Sequence, residues 1–355
     1  MTPYTLITGG AGFIGTNLAD RLASSGENVL ILDNLSRQGV KANLIWLLQN
    51  HQKKIKFVQR DIRSSERLDE LVSDASSVFH LAAQVAVTSS LSDPITDFEI
   101  NTYGTLRLLE ALRKLKNPPP LIYTSTNKVY GNLNDVTLQE TKTRYEPIES
   151  EIKNYGIDES RRLEFSSPYG CSKGAADQYV LDYSKTFGMP AVVFRMSCIY
   201  GPHQWGNEDQ GWIAHFVKQM LEETPLTLYG NGKQVRDTLF IDDLIDAFLL
   251  VREQIQELKT QAFNIGGGPQ NTTSLLELLR LLSEKSQHPI DLRYENWRTS
   301  DQRYYVSDVR KFMSSTGWFP RVNLDEGINH LIHWMGDLKN IKPQKDSQQI
   351  YEAFA

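Results

Sequence analysis

Three glycines, each separated from the next by two residues, constrain this chain more than any other feature. Gly9, Gly12 and Gly15 stand between a short apolar run and an amphipathic one. Residues 4–8 are β-branched and apolar, as a buried parallel strand requires. Phe13, Ile14, Leu18, Leu22 and Ala23 then recur at helical spacing. A strand, a glycine turn and a helix in that order form an anion seat. Gly9 permits the tight turn, Gly12 lets the backbone approach a phosphate, and Gly15 lets helix and strand pack closely. The pattern predicts an α/β fold of the Rossmann type, a doubly wound parallel sheet with a dinucleotide pyrophosphate at the helix start.

The following segments continue the alternation. Strand patterns at 29–32, 55–58, 78–81, 121–124 and 192–195 are separated by helical ones, the longest at 98–115 and 168–187. Beyond Arg195 the pattern loosens. Gly230-Asn231-Gly232 reads as a turn, 241–251 as a helix, 263–265 as one more strand, and 274–282 and 324–335 as helices. At 355 residues the chain exceeds one typical core, so two lobes sharing one site are expected. We place a dinucleotide-binding Rossmann domain at 1–195, with 236–265 returning to it. A smaller mixed α/β substrate-binding lobe takes 196–235 and 266–337. The polar stretch 338–355 reads as a mobile tail, with a short helix at 350–354.

Asp33 ends the second strand, 18 residues after Gly15. A carboxylate there accepts both ribose hydroxyls of an adenosine and repels a 2′-phosphate, which favours NAD over NADP. Arg37 pulls the other way, because a guanidinium accommodates a phosphate. Asp61, at the end of the third strand, is placed to reach the adenine amino group. Tyr169 and Lys173 lie one helical turn apart behind Pro168, which suits a first turn. Taken alone, that spacing fits any surface helix. With the glycine turn upstream, and Thr126 after the fifth strand, it reads as a proton-transfer group beside a nicotinamide. A lysine ammonium near the phenol favours the phenolate and so lowers its pKa. The phenolate then accepts a hydroxyl proton while hydride leaves the same carbon.

The remaining features mainly exclude. The formal net charge is −5 with no long basic run, so no nucleic-acid partner is expected. Two cysteines, Cys171 and Cys198, allow no disulfide framework and no metal spacing; both read as small, partly buried side chains. No signal-peptide pattern and no membrane-length apolar run occurs, so a cytoplasmic protein without a membrane partner is expected.

Several longer stretches resemble the extended short-chain dehydrogenase/reductase family, in particular its nucleotide-sugar epimerases. They are Thr8 to Gly15, His80-Leu81-Ala82-Ala83, Asn101-x-x-Gly104-Thr105, Ser125-Thr126, Tyr169-x-x-x-Lys173 and Tyr200-Gly201-Pro202. The resemblance covers residues 4 to 337. It implies that Thr126, Tyr169 and Lys173 are catalytic and that Lys173 also holds the nicotinamide ribose. It also implies NAD contacts at Gly9, Gly12, Phe13, Ile14, Gly15, Asp33, Asn34, Arg37, Asp61, Ile62, Leu81, Ala82, Ala83, Asn101 and Thr124. The family's dehydratases carry an Asp-Glu pair after the catalytic threonine. Asn127 and Lys128 stand here, neither of them an acid, so dehydration is disfavoured.

Further stretches at 125–131, 167–179, 209–212, 230–237 and 300–303 are similar to the CDP-sugar 2-epimerases of that family. That similarity implies oxidation at C2 to a transient keto-sugar and return of hydride to the other face, in carbohydrate metabolism of the kind that makes lipopolysaccharide O-antigen. A UDP-hexose 4-epimerase is the rival within the family, and a dinucleotide-binding regulator without catalysis the rival outside it. By the same analogy Arg236 and Arg298 clamp the diphosphate, and Asn127, His203, Gln204 and Asp209 line the sugar or base pocket. Ser197-Cys198 stands where the family often has an asparagine touching the sugar nucleotide. The family habit also implies a homo-oligomer, dimer or tetramer, with the helices at 98–115 and 168–187 as its seam. No metal is expected.

Overall fold

A computed structural model describes residues 2–64, 67–286 and 290–340. Its centre is a seven-stranded sheet. The strands are β1 (Tyr4–Thr8), β2 (Val29–Asp33), β3 (Ile55–Gln59), β4 (Ala75–His80), β5 (Leu121–Thr126), β6 (Ala191–Met196) and β7 (Gln261–Ile265). Their spatial order is β7-β6-β5-β4-β1-β2-β3, and every pairing is parallel. The order reverses between β1 and β4, where a doubly wound sheet opens its binding crevice.

The inner strands are largely apolar because both faces are covered, whereas the edge strand β3 exposes Lys56 and Gln59. Successive residues serve opposite faces. Ile7, Ile31, Phe79, Ile122, Val192 and Phe194 enter one core with α1 (Phe13–Ser24) and α2 (Val40–His51). Leu6, Leu30, Val78, Leu121, Tyr123 and Val193 enter a second core with α3 (Gly104–Arg113) and α4 (Pro168–Phe187).

The single helix expected over 98–115 is three pieces: Pro94–Phe98, a wide turn at Glu99–Tyr103, and α3. Apolar periodicity does not register a turn that takes an extra residue. Cys198 is half-buried as expected, whereas Cys171 is exposed.

The second lobe is built on Val235–Phe240. This strand pairs with Cys198–Tyr200, Thr272–Ser274 and Tyr304–Tyr305. The helix α5 (Trp212–Glu222) and the pair Leu226–Tyr229 with Leu292–Glu295 complete its wall. The chain crosses back at Phe240, a few residues later than the expected 236. There α6 (Ile241–Glu253) stacks Phe248 on Phe79 and Phe194, and β7 extends the main sheet. The helix α7 (Leu275–Ser286) follows, and α8 (Leu324–Asn340) continues past the start expected for the tail. Residues 341–355, with the short helix expected there, lie outside the described residues.

Candidate active site

β1 delivers the chain to the glycine turn. Gly9 has φ +70°, and its N–H donates to Leu32 O at 2.7 Å. A Cβ on Gly9 would sit 2.7 Å from the backbone N of Ala82. A Cβ on Gly15 would sit 2.5 Å from Gly10 Cα. Both glycines are therefore demanded by packing. Gly12 differs, since a Cβ there would meet only Gly9 O, at 3.2 Å. It lines the cavity and caps α1 with no side-chain bond, leaving the first amides of that helix for a ligand anion.

Asp33 ends β2. Its Oδ2 accepts from the Ala11 amide at 3.1 Å and its Oδ1 from the Leu35 amide at 2.8 Å. Burial nevertheless pushes its carboxyl up. These donors fix the orientation of the carboxylate, and it lines the cavity where adenosine ribose hydroxyls are expected. Asp61 is held down to about 2 by Arg63, whose guanidinium and amide both bond to it. Its Oδ2 also accepts from Asn34 Nδ2 at 2.9 Å. An open turn, a fixed carboxylate and a helix start on one wall fit an adenine dinucleotide.

The cavity has a volume of about 500 Å³ and runs from this wall to the second lobe. Tyr169, Lys173 and Thr126 all line it and are buried, with the Thr126 hydroxyl bonded to the Tyr169 phenol. Ser167 caps α4 by accepting from the Gly170 amide at 3.1 Å, which sets the first turn carrying Tyr169. The Tyr169 amide donates to Ser90 Oγ at 3.1 Å. Lys173 Nζ donates to Thr124 O at 2.6 Å and lies 4.4 Å from the centre of the Tyr123 ring. Burial pushes Tyr169 up to about 12, with the Thr126 hydroxyl pulling the other way. Burial pulls Lys173 down to about 7 against Asp177 and Asp97. The expected lowering of the phenol is therefore not a property of the chain alone. In the chain by itself desolvation outweighs the pull of the Thr126 hydroxyl and of Arg37.

All the expected cofactor contacts line the cavity except Asn101. Asn101 is buried, and its amide group ties together Gln84, Asp97 and Ser172. It is a strut behind α4. His80 is a second strut, bonded to Thr8 Oγ1 at 2.6 Å and Thr105 Oγ1 at 2.9 Å. Burial pulls its imidazole down to about 3, so it stays neutral.

On the far wall, Asn127 Nδ2 donates to Gln302 Oε1 at 2.9 Å. Arg236 donates to Val235 O and to Asp301 Oδ1, each at 2.7 Å. Arg298 lies 3.7 Å over the Tyr229 ring and 3.5 Å from Asp209. His203 has φ +66° and sits between Trp46 and Trp334, with ring centres 4.3 and 5.3 Å away. Burial pulls it down to about 4.

The loop carrying His203 is tied across to the first lobe. Asn17 Nδ2 donates to Pro202 O at 2.9 Å, and Asn43 Nδ2 to His203 O at 3.1 Å. Trp205 Nε1 donates to Asn43 Oδ1 at 2.9 Å, and Arg37 donates to Gln210 Oε1.

Five buried polar atoms on the cavity wall have no partner among the described residues: Thr88 Oγ1, Ser125 Oγ, Gln204 Oε1, His215 Nε2 and Gln234 Oε1. Such atoms are costly unless a ligand or water meets them. Sequence reasoning picked out Gln204 and missed the other four as site residues. Ser125 and Gln234 fall inside motifs that could have flagged them; His215 lies on α5 with no motif around it.

Residues 5–266 match the model of the NAD dependent epimerase/dehydratase family. CDP-paratose 2-epimerase of Salmonella typhi is 44% identical, covering 94% of this chain and 99% of its own. A putative UDP-glucose 4-epimerase of Methanocaldococcus jannaschii is 32% identical over 93% and 97%. Among solved structures, UDP-glucuronic acid 4-epimerase of Bacillus cereus, in complex with UDP-glucuronic acid and NAD, superposes with a TM-score of 0.80 at 27% identity, covering 94% of this chain and 99% of that one. With its glycine turn, its buried Tyr169 and Lys173, and a family match spanning most of its length, the chain belongs to the NAD dependent epimerase/dehydratase family.

Proposed function

We propose that the protein epimerises a nucleotide-diphosphate sugar, and that this sugar is CDP-paratose, converted to CDP-tyvelose at C2. NAD, when bound along the wall of Gly12 and Asp33, would supply a reversible hydride acceptor. Tyr169 Oη takes the proton of the C2 hydroxyl, and Thr126 Oγ1 holds that hydroxyl toward it. The Lys173 ammonium stabilises the phenolate and, by its place on α4, holds the nicotinamide ribose. The keto-sugar then turns its other face, C2 takes the hydride back on that face, and Tyr169 returns the proton to the new hydroxyl. Arg236 and Arg298 hold the diphosphate throughout, while Asn127, His203 and Gln204 line the sugar pocket.

One observation carries the choice of C2 and of CDP: the 44% identity to the Salmonella typhi enzyme across nearly the whole of both chains. The Methanocaldococcus jannaschii relative supports a second reading, a UDP-hexose 4-epimerase with the same catalytic group. Purified protein given CDP-paratose and UDP-glucose separately decides between them. Turnover of CDP-paratose alone is expected, and turnover of UDP-glucose alone would overturn the C2 reading. Retention of the original C2 hydrogen in deuterium oxide, read by NMR, marks internal hydride return. A regulator without catalysis is disfavoured by the three catalytic side chains meeting in one cavity.

The setting we propose is cytoplasmic sugar metabolism feeding lipopolysaccharide O-antigen. Among the described residues no helix is long and apolar enough to cross a membrane. We also propose a homo-oligomer sealed along 94–113 and α4. Ile95, Phe98, Tyr103, Tyr179 and Phe187 are exposed there, an apolar surface of the kind that self-association covers. Light scattering tests it, and a monomer at micromolar concentration would refute it.

A further inference from the structure

We propose that Lys128 grips the sugar-proximal phosphate of the substrate, and that this grip is what brings C2 rather than C4 to Tyr169. The inference rests on the epimerase reading above.

Lys128 sits in the tight turn Asn127–Tyr130 that leaves β5. Its amide donates to the catalytic Thr126 Oγ1 at 3.2 Å. Its side chain lines the cavity and crosses to the second lobe, where Nζ donates to Ser300 O at 3.2 Å. The same Nζ lies 4.0 Å from Asp301 Oδ1, the atom that accepts from Arg236 at 2.7 Å. Arg236, Asp301 and Lys128 thus form one charged track, which ends two residues from Thr126.

The two cations on the track are held differently. Arg236 is bonded both to Asp301 and to its own strand backbone. Lys128 stands at the outer limit of an ion pair, and an ammonium has three donors, of which Ser300 takes one. Burial, with Arg236 nearby, pulls it down to about 8. An anion beside it would restore what desolvation removes.

The chemistry of the substrate fixes why the position matters. In a sugar 1-diphosphate, C2 is bonded to the carbon that bears the phosphate oxygen. C4 lies across the ring from it. A site that oxidises C2 therefore needs its phosphate cation close to the catalytic hydroxyls. A site that oxidises C4 needs it a ring's width away. Lys128 is bonded through its backbone to Thr126 and reaches Ser300 and Asp301 with its side chain, so its ammonium lies within one side chain's length of the catalytic threonine, on the side of the arginine clamp.

The test uses the NAD-loaded protein and its Lys128→Met, Lys128→Gln and Lys128→Arg variants. Calorimetry gives the affinity of each for CDP and for CMP, which differ by one phosphate. The preference for CDP should shrink about tenfold or more in Lys128→Met and Lys128→Gln, as loss of a charge-assisted contact implies. CMP binding should be unchanged, Lys128→Arg should keep most of the preference, and C2 turnover should fall with it. Lys128→Gln retains a donor for Ser300, so it serves if Lys128→Met does not fold. An unchanged CDP preference in a neutral variant with full NAD content would overturn the proposal. Wild-type protein that leaves CDP-paratose untouched would overturn the substrate reading instead, whichever way the ratio moves.

Discussion

The two walls of the cavity are made of different materials. The cofactor wall is mostly backbone: strand ends, a glycine turn and the first amides of α1, with Asp33 held by the Ala11 and Leu35 amides and Asp61 tied by Asn34 and Arg63. The substrate wall is side chains from distant segments: Asn127 on Gln302, Lys128 on Ser300, Arg236 on Asp301, Arg298 over Tyr229. Backbone geometry grips a ligand common to a whole family. Side-chain contacts can be exchanged one at a time, so specificity is kept on that wall. Tyr169, Lys173 and Thr126 line the cavity between them and, in the proposed mechanism, serve both.

That contrast can be broken at the seam first. Tyr169→Phe removes the proton carrier and should lower kcat about a thousandfold, with NAD still bound, as read by product NMR and cofactor content. An active Tyr169→Phe protein would remove the phenol from its assigned role. Arg236→Ala attacks the substrate wall alone. It should raise KM for the CDP-sugar by about ten- to a hundredfold, since Asp301 loses its partner as well, and leave NAD content intact. Loss of NAD in this variant would mean that the walls are not independent.

Gly15→Ala attacks the cofactor wall alone. The added methyl meets Gly10 Cα at 2.5 Å and should cost about 1–3 kcal/mol of stability. Purified protein should then carry less NAD, while the part that retains it keeps its KM. Equal NAD content and an equal melting temperature would show that the turn tolerates what its geometry forbids.

The smallest effect is a pH slope. Lys173 falls from 10.5 to about 7 on folding, so between these values the unfolded chain binds a proton that the folded one does not. Stability of the cofactor-free protein should therefore rise with pH across that window, and fall as pH drops toward 7. Lys173→Met should flatten this part of the melting-temperature profile. An unaltered slope would place the lysine in a more polar setting than its burial indicates.

The cofactor wall was legible in the sequence because its residues sit at fixed offsets from strand ends. Gly9, Gly12, Gly15 and Asp33 are found by counting along the chain. Much of the substrate wall was not, because its contacts join residues far apart in sequence. The seat of His203 between Trp46 and Trp334 has no local signature. Nor does His215, whose unpartnered nitrogen emerges only once α5 is packed. Arg236 and Arg298 came from family likeness, not from spacing. The partners of Asn101 were hidden for a related reason. It stands next to the cofactor contacts in sequence and in space, but the wide turn at Glu99–Tyr103 commits its amide to Gln84, Asp97 and Ser172. The direction of the Tyr169 and Lys173 shifts was equally hidden, because desolvation depends on a burial that no motif reports.

The loop from Pro202 to Gln210 emerges from the sugar side, yet it is riveted to α1, to α2 and to Arg37 between them. At that corner the lobes cannot swing apart unless several rivets give way together. Hinged opening is thus an expensive way for this molecule to exchange anything. On the proposed epimerase reading, the moving part during turnover is then the small ring that somersaults between those held walls, and the coenzyme, regenerated at the end of each cycle, has no need to leave.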